Sequence, residues 1–192
     1  MKLIFATANS NKVNEIRLLI PSFIELGGLL DIGCTEEIPE TKPTIEGNAS
    51  QKAFYVFEKY GKNCFADDTG LEIDALQGRP GVLSARYAGE SKDARLNMEK
   101  ILSEMSGISN RKARFRTVIS LVINGNETLF EGVVNGTILD AKRGNQGFGY
   151  DPIFCPEGSS LSFAEMSITE KNLMSHRAKA VNKLVEYLNT LT

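Results

Sequence analysis

The residues from Ala113 to Ile123 form a long β-type run that meets Asn124-Gly125-Asn126. A second run from Glu127 to Asn135 follows directly. An Asn-Gly turn between two such runs is a strong signal for an antiparallel hairpin, and Thr137 to Ala141 extends the same system. The chain opens differently. Lys2 to Ala6 reads as a short buried strand, and Asn11 to about Ile20 as a helix with Val13, Ile16, Leu19 and Ile20 on one face, stopped by Pro21. A βα opening combined with a hairpin implies an α/β fold on a mixed sheet.

The remaining elements fit between these. Some strand is expected around Phe23 to Leu30. A helix from Thr44 to Tyr60 carries Ile45, Ala49, Ala53, Phe57 and Tyr60 on one stripe and ends at Gly61. Asn63 to Ala66 reads as a strand, Asp67-Asp68-Thr69-Gly70 as an acidic turn, and Leu71 to Leu76 as another strand. A helix from about Lys92 to Met105 follows. Arg143 to Gly158 reads as a Gly-rich loop. The last element is a helix from about Ile168 to Leu191, opened by a Ser167/Glu170 capping box.

The chain has 192 residues, enough for one domain or for two lobes sharing a core. Its net charge of -2 and lack of a basic run argue against a nucleic-acid-binding surface. Cys34, Cys64 and Cys155 are odd in number and far apart, which argues against a disulfide framework or a zinc site. No apolar stretch is long enough to cross a bilayer, and the N-terminal apolar run is too short for a signal peptide. The expected location is the cytoplasm.

Five segments carry residue types suited to chemistry, and each also has a purely structural explanation. Thr7-Ala8-Asn9-Ser10-Asn11-Lys12 lies between a strand and a helix, where backbone N–H groups and the helix dipole favour a phosphate. It lacks the Walker pattern, and an ordinary helix cap would look the same. Asp67-Asp68 is a pair of like charges that a hard cation such as Mg²⁺ would stabilise, or a solvated turn. One of these carboxylates could take a proton from an attacking water. Glu40 and Lys52 are a further oxygen ligand and a cation, or two surface charges. In Gly147-Phe148-Gly149-Tyr150-Asp151-Pro152 the flanking glycines leave the Phe148 ring open to stacking, or the ring belongs to the core. Ser175-His176-Arg177, with Lys171 ahead of it, holds the only histidine of the chain. It has no second His and no G-x-S-x-G elbow, which argues against a Ser-His-Asp triad, and His176 is a hydrogen-bond donor or a structural side chain.

Taken in order, Thr7-x-Asn9-x-x-Lys12, Ala66-Asp67-Asp68-Thr69-Gly70-Leu71, Pro80-Gly81-Val82-Leu83-Ser84-Ala85-Arg86-Tyr87, Gly147-Phe148-Gly149-Tyr150-Asp151-Pro152-Ile153-Phe154 and Ser175-His176-Arg177 resemble the inosine triphosphate pyrophosphatase (Ham1-like) family across essentially the whole chain. The resemblance implies a single ITPase-like domain over residues 1–192, with an elongated mixed sheet and flanking helices in two lobes around a central active-site cleft. It implies Mg²⁺-dependent hydrolysis of non-standard purine triphosphates (ITP, dITP, XTP) to the monophosphate and pyrophosphate, by a homodimer that binds neither nucleic acid nor membrane. On the same basis Thr7, Ala8, Asn9, Ser10, Asn11 and Lys12 hold the triphosphate, with Lys52. Glu40 and Asp68 hold the metal with Asp67 close by, and Asp68 accepts the proton. Thr69 touches the substrate. Phe148, Gly149, Tyr150 and Asp151 bind the base and sugar side, with Phe148 stacking on the purine, while Lys171, His176 and Arg177 bind the base.

The chain departs from the family pattern in a few places. Thr69 stands where Ser is common. Thr44-Ile45-Glu46-Gly47-Asn48-Ala49 lacks the usual Phe and Glu, and Gln146-Gly147 replaces Gly-Gly. A Maf-like nucleotide pyrophosphatase with another base preference, or a non-catalytic nucleotide-binding module, are the alternatives. How GTP is excluded is not visible in these residues.

Overall fold

The computed structural model describes residues 1–191. It opens on β1 (Lys2–Phe5), α1 (Ser10–Arg17) and β2 (Glu25–Gly27), a parallel unit that sets Lys2 opposite Glu25. Helix α2 (Ile45–Tyr60) leads to β3 (Cys64–Ile73), which runs parallel to β1 with Phe5 opposite Phe65. The short β4 (Pro80–Gly81) pairs antiparallel with β3, and α3 (Ala94–Glu104) follows. Then come β5 (Lys112–Ile123), β6 (Asn126–Ile138) and β7 (Phe154–Pro156), the last antiparallel to β6. Helices α4 (Ile168–Asn172) and α5 (His176–Asn189) close the chain. The strand order is β2-β1-β3-β5-β6-β7 with β4 on β3, a mixed sheet of seven strands flanked by helices.

Local chemistry explains several boundaries. Thr44 caps α2, its Oγ1 accepting from the Gly47 N–H at 3.0 Å. Ser167 and Glu170 form a reciprocal capping box at the start of α4. Asn124 and Gly125 both take positive φ, 52° and 82°. That conformation matches the twist of the β5–β6 arms and is tolerated best by Asn and Gly.

Other boundaries differ from the sequence expectation. The acidic segment is no turn: β3 runs unbroken through Asp67, Asp68, Thr69 and Gly70. Asp favours turns by bonding to its own backbone, and here ion pairs take both carboxylates instead. The strand after the hairpin continues to Ile138 in one piece. The Gly-rich stretch contains a 3-10 turn at Asp151–Ile153 and then β7. The final helix is two helices. The Lys171 carbonyl accepts from the N–H groups of both Met174 and Ser175, closing α4 before α5 begins at His176.

Two compact units divide the chain. Met1–Asp68, Thr117–Gly132 and the residues from Arg177 onward form the first; Thr69–Arg116 and Val133–His176 form the second. In the first unit the strands are buried on both faces. Leu3, Phe5 and Phe65 pack with Ile16 of α1 and with Val181, Leu184 and Leu188 of α5. Ile4, Ala6, Cys64 and Ala66 point the other way and pack with Ala53 and Val56 of α2. The Phe5 and Phe65 rings stack at 4.6 Å, a contact worth about 0.5–1.5 kcal/mol beyond the area that it buries. The second unit has its own core, in which Leu71, Ile73, Ile101, Met105, Phe115, Phe154 and Phe163 meet.

Candidate active site

The alternation of β3 decides where its two aspartates go. Asp67 follows Phe65 onto the side of α1 and α5, and Asp68 follows Ala66 onto the side of α2. The carboxylates therefore do not form the paired site that adjacency in sequence implies.

On the α1 side, the Lys12 ammonium lies 2.8 Å from Asp67 Oδ1, and Arg177 Nε lies 3.3 Å from Asp67 Oδ2. Arg177 Nη1 also pairs with Glu15. All four side chains are largely buried, and two cations face two anions. Burial opposes ionisation of Asp67, but Lys12, Arg177 and Lys52 outweigh it and hold the carboxyl well below the usual range. Burial dominates at Lys12 and lowers its pKa against the pull of Asp67. Asp67 is thus held in internal ion pairs with Lys12 and Arg177. Arg177 is held the same way, between Asp67 and Glu15.

On the α2 side, Lys52 pairs with Glu40 and stands 3.8 Å from Asp68 Oδ1. Asn48 donates from Nδ2 to Asp68 Oδ2 at 3.4 Å. Two carboxylates share one ammonium. Burial raises the Asp68 pKa, helped by Glu40 and Asp67, against Lys52 and Lys12. At Lys52 burial is outweighed by Asp68, Glu40 and Asp67, and its pKa rises. Among the described residues no three His, Cys, Asp or Glu side chains gather as a metal cage. Mg²⁺ does not need one, because it keeps several waters and takes one or two carboxylates plus substrate phosphates. Asp68 and Glu40 have the donor chemistry for that, and both retain some exposure.

The segment ahead of α1 is a built helix cap. Asn9 Oδ1 accepts from the N–H groups of Asn11 and Lys12, and Thr7 Oγ1 accepts from the Asn9 N–H. The N–H groups of Asn11 and Lys12, expected to be open to phosphate, are therefore used internally. Ala8, Asn9, Ser10 and Asn11 themselves are exposed.

The second unit holds a separate group. Asp151 Oδ2 accepts from the Phe148 N–H at 2.8 Å and from the Lys171 ammonium at 2.6 Å. That ammonium lies 4.9 Å from the centre of the half-buried Phe148 ring. A Cβ on Gly147 would stand 2.1 Å from Asp151 Oδ2. The missing side chain thus makes room for Asp151 rather than for a ligand. His176 is buried, its ring stacked on Phe115 at 4.6 Å. Tyr150 is also buried and donates to the Ser84 carbonyl at 2.6 Å, which fixes the loop. Thr69 and Gly149 are half-buried. His176 and Arg177, neighbours in sequence, fall in different units.

Sequence reasoning missed Glu15 and Asn48. Glu15 sits three residues after Lys12 and beside the core residue Ile16, an unusual place for a charge, which was its only signal. Asn48 lies in the first turns of α2, where Asn is disfavoured without a partner.

The chain is similar to known proteins over nearly its whole length. The model of the Ham1 family matches residues 3–187. A dITP/XTP pyrophosphatase of Flavobacterium psychrophilum is 54% identical, over 97% of this chain and 98% of its own. One of Christiangramia forsetii is 54% identical, over 98% of this chain and 100% of its own. The structure of the Staphylococcus aureus Ham1 protein superposes with a TM-score of 0.91 at 36% identity, covering 100% of both chains. With the family model spanning nearly the whole chain and the fold matching, the chain belongs to the Ham1 family.

Proposed function

We propose that the chain hydrolyses non-canonical purine nucleoside triphosphates, ITP, dITP and XTP, to the monophosphate and pyrophosphate. The names of its relatives support the substrate class. The observation that carries the chemistry is the buried Lys52 held between Glu40 and Asp68.

Breaking the triphosphate next to the α phosphorus requires a positioned water and cations for the leaving pyrophosphate. Asp68 orients the water and accepts its proton, and a carboxylate whose pKa is raised by burial is suited to that step. The new P–O bond forms at the α phosphorus while the bond to the bridging oxygen breaks, and pyrophosphate departs. Lys52 and Lys12 offset its charge, and the exposed turn Ala8 to Asn11 lines the phosphate path at the start of α1. Mg²⁺ held by Asp68 and Glu40 supplies further charge neutralisation when bound. Thr69 contributes a hydroxyl to the substrate.

Base recognition falls to Phe148, Lys171, His176 and Arg177. Phe148 offers a ring face, and His176, Arg177 and Lys171 are the donors suited to a 6-oxygen. Adenine presents an amino donor at that position, so ATP is rejected. The protein acts as a homodimer in the cytoplasm, a reading supported by the family resemblance. The three free thiols also fit a reducing compartment. No helix among the described residues is long and apolar enough to cross a membrane.

The test is a panel of triphosphates with Mg²⁺, scored for pyrophosphate and orthophosphate. Pyrophosphate from ITP, dITP and XTP but not ATP is expected. Orthophosphate as first product would overturn the mechanism.

A further inference from the structure

The residues from Gly33 to Thr44 form neither helix nor strand, yet they carry Glu40. Besides Cys34 and Ile38, which enter the core, what holds them is one face of α2. Asn48, Gln51, Lys52, Tyr55 and Lys59 recur at helical spacing and make a polar stripe along that helix. Asn48 Oδ1 accepts from the Lys42 N–H at 2.8 Å. Gln51 Oε1 accepts from the Thr41 N–H at 2.9 Å, and Gln51 Nε2 donates to Thr41 Oγ1 at 3.0 Å. Lys52 takes Glu40 itself. At the far end, Glu36 Oε1 accepts from the hydroxyls of Tyr55 at 2.8 Å and Tyr60 at 2.6 Å, and from the Lys59 ammonium at 2.7 Å.

Glu36 is thus the terminal anchor of a strap whose other end presents Glu40. Three donors converge on one carboxylate oxygen, far more than a surface glutamate needs for solubility. Between the two ends only Ile38 enters the core. The position of Glu40 therefore depends on polar contacts along α2, and the Glu36 cluster is the most connected of them. We propose that Glu36 is a positioning residue, which acts through the strap to keep Glu40 placed over Lys52 and so sets the metal affinity of the site.

The inference rests on Glu40 being a metal ligand, and one set of variants tests the two separately. Amide hydrogen exchange of the nucleotide-free protein reads the strap, and Mg²⁺ titration of pyrophosphate release reads the site. In Glu36→Ala the Thr41 and Lys42 amides should lose protection while the α1 amides keep theirs. The half-saturating Mg²⁺ concentration should rise about 10-fold, the low end of what supporting residues around a metal ligand typically contribute. Turnover at saturating Mg²⁺ should stay close to wild type. Glu36→Gln still accepts from both phenols and should restore most of the protection and affinity. If Glu36→Ala does not fold, Tyr60→Phe removes one bond and is read the same way. Unchanged exchange at Thr41 and Lys42, or a loosened strap with unchanged Mg²⁺ dependence, overturns the proposal. An unshifted titration in Glu40→Gln instead sinks the ligand assignment and the inference with it.

Discussion

Asp67 and Asp68 are neighbours on β3, yet their carboxylates face opposite sides of the strand. Asp67 meets Lys12 and Arg177, and Asp68 meets Lys52 and Asn48. One is bound into the protein's own charges, and the other shares its cation with Glu40. The two should answer differently to the same substitution.

Asp67→Asn leaves Lys12 and Arg177 buried with one anion fewer. Removing one partner of a buried ion pair costs about 3–5 kcal/mol, so this variant should melt well below wild type. Asp68→Asn should melt at or above wild type and lose about 10²–10³ of its turnover, as when a charge-stabilising group is removed. Thermal denaturation beside pyrophosphate release checks both, and the reverse pattern would exchange the two roles.

The pH dependence of these variants has opposite signs. The Asp67 carboxyl is held below its ordinary range, so its stabilisation is present above that range and is lost as pH falls through the folded-state value. The gap by which wild type exceeds Asp67→Asn should therefore shrink on acidification. The Asp68 carboxyl is held above its ordinary range, so ionising it costs stability at neutral pH. Any advantage of Asp68→Asn over wild type should likewise vanish in acid. Urea unfolding at neutral and at strongly acidic pH separates the two trends.

Arg177→Met breaks contacts to both Glu15 and Asp67. It should destabilise by about 3–5 kcal/mol. Adding Glu15→Gln should cost less than the sum of the single changes, because the glutamate no longer needs its partner. A double-mutant cycle by urea denaturation measures this. Additive losses would mean that the two side chains do not interact.

Phe148→Ala removes the proposed stacking face. Base stacking on an aromatic ring is worth about 1–3 kcal/mol, a rise of roughly 5–150-fold in KM for ITP. Phe148→Tyr should stay near wild type. Steady-state kinetics decide it, and an unchanged KM in the alanine variant would remove Phe148 from the base site.

Features governed by short-range chemistry were legible in the chain. Thr44 and Gly61 bound α2 because capping is decided within one turn, and Asn124-Gly125 made the hairpin because their own backbone preferences suffice. Ser167 and Glu170 likewise announced α4. The motif order pointed to the family, and Lys52 with Glu40 was already among the candidates. Tertiary structure alone decided the rest. Asp67-Asp68 reads as a turn by local preference, and only neighbouring strands and distant cations keep it extended. Lys12 lies 55 positions from Asp67, and Arg177 lies 110 from Asp67 and 162 from Glu15. No periodicity or spacing encodes such pairs, because charge selects its partner by distance in the folded protein and not by distance along the chain.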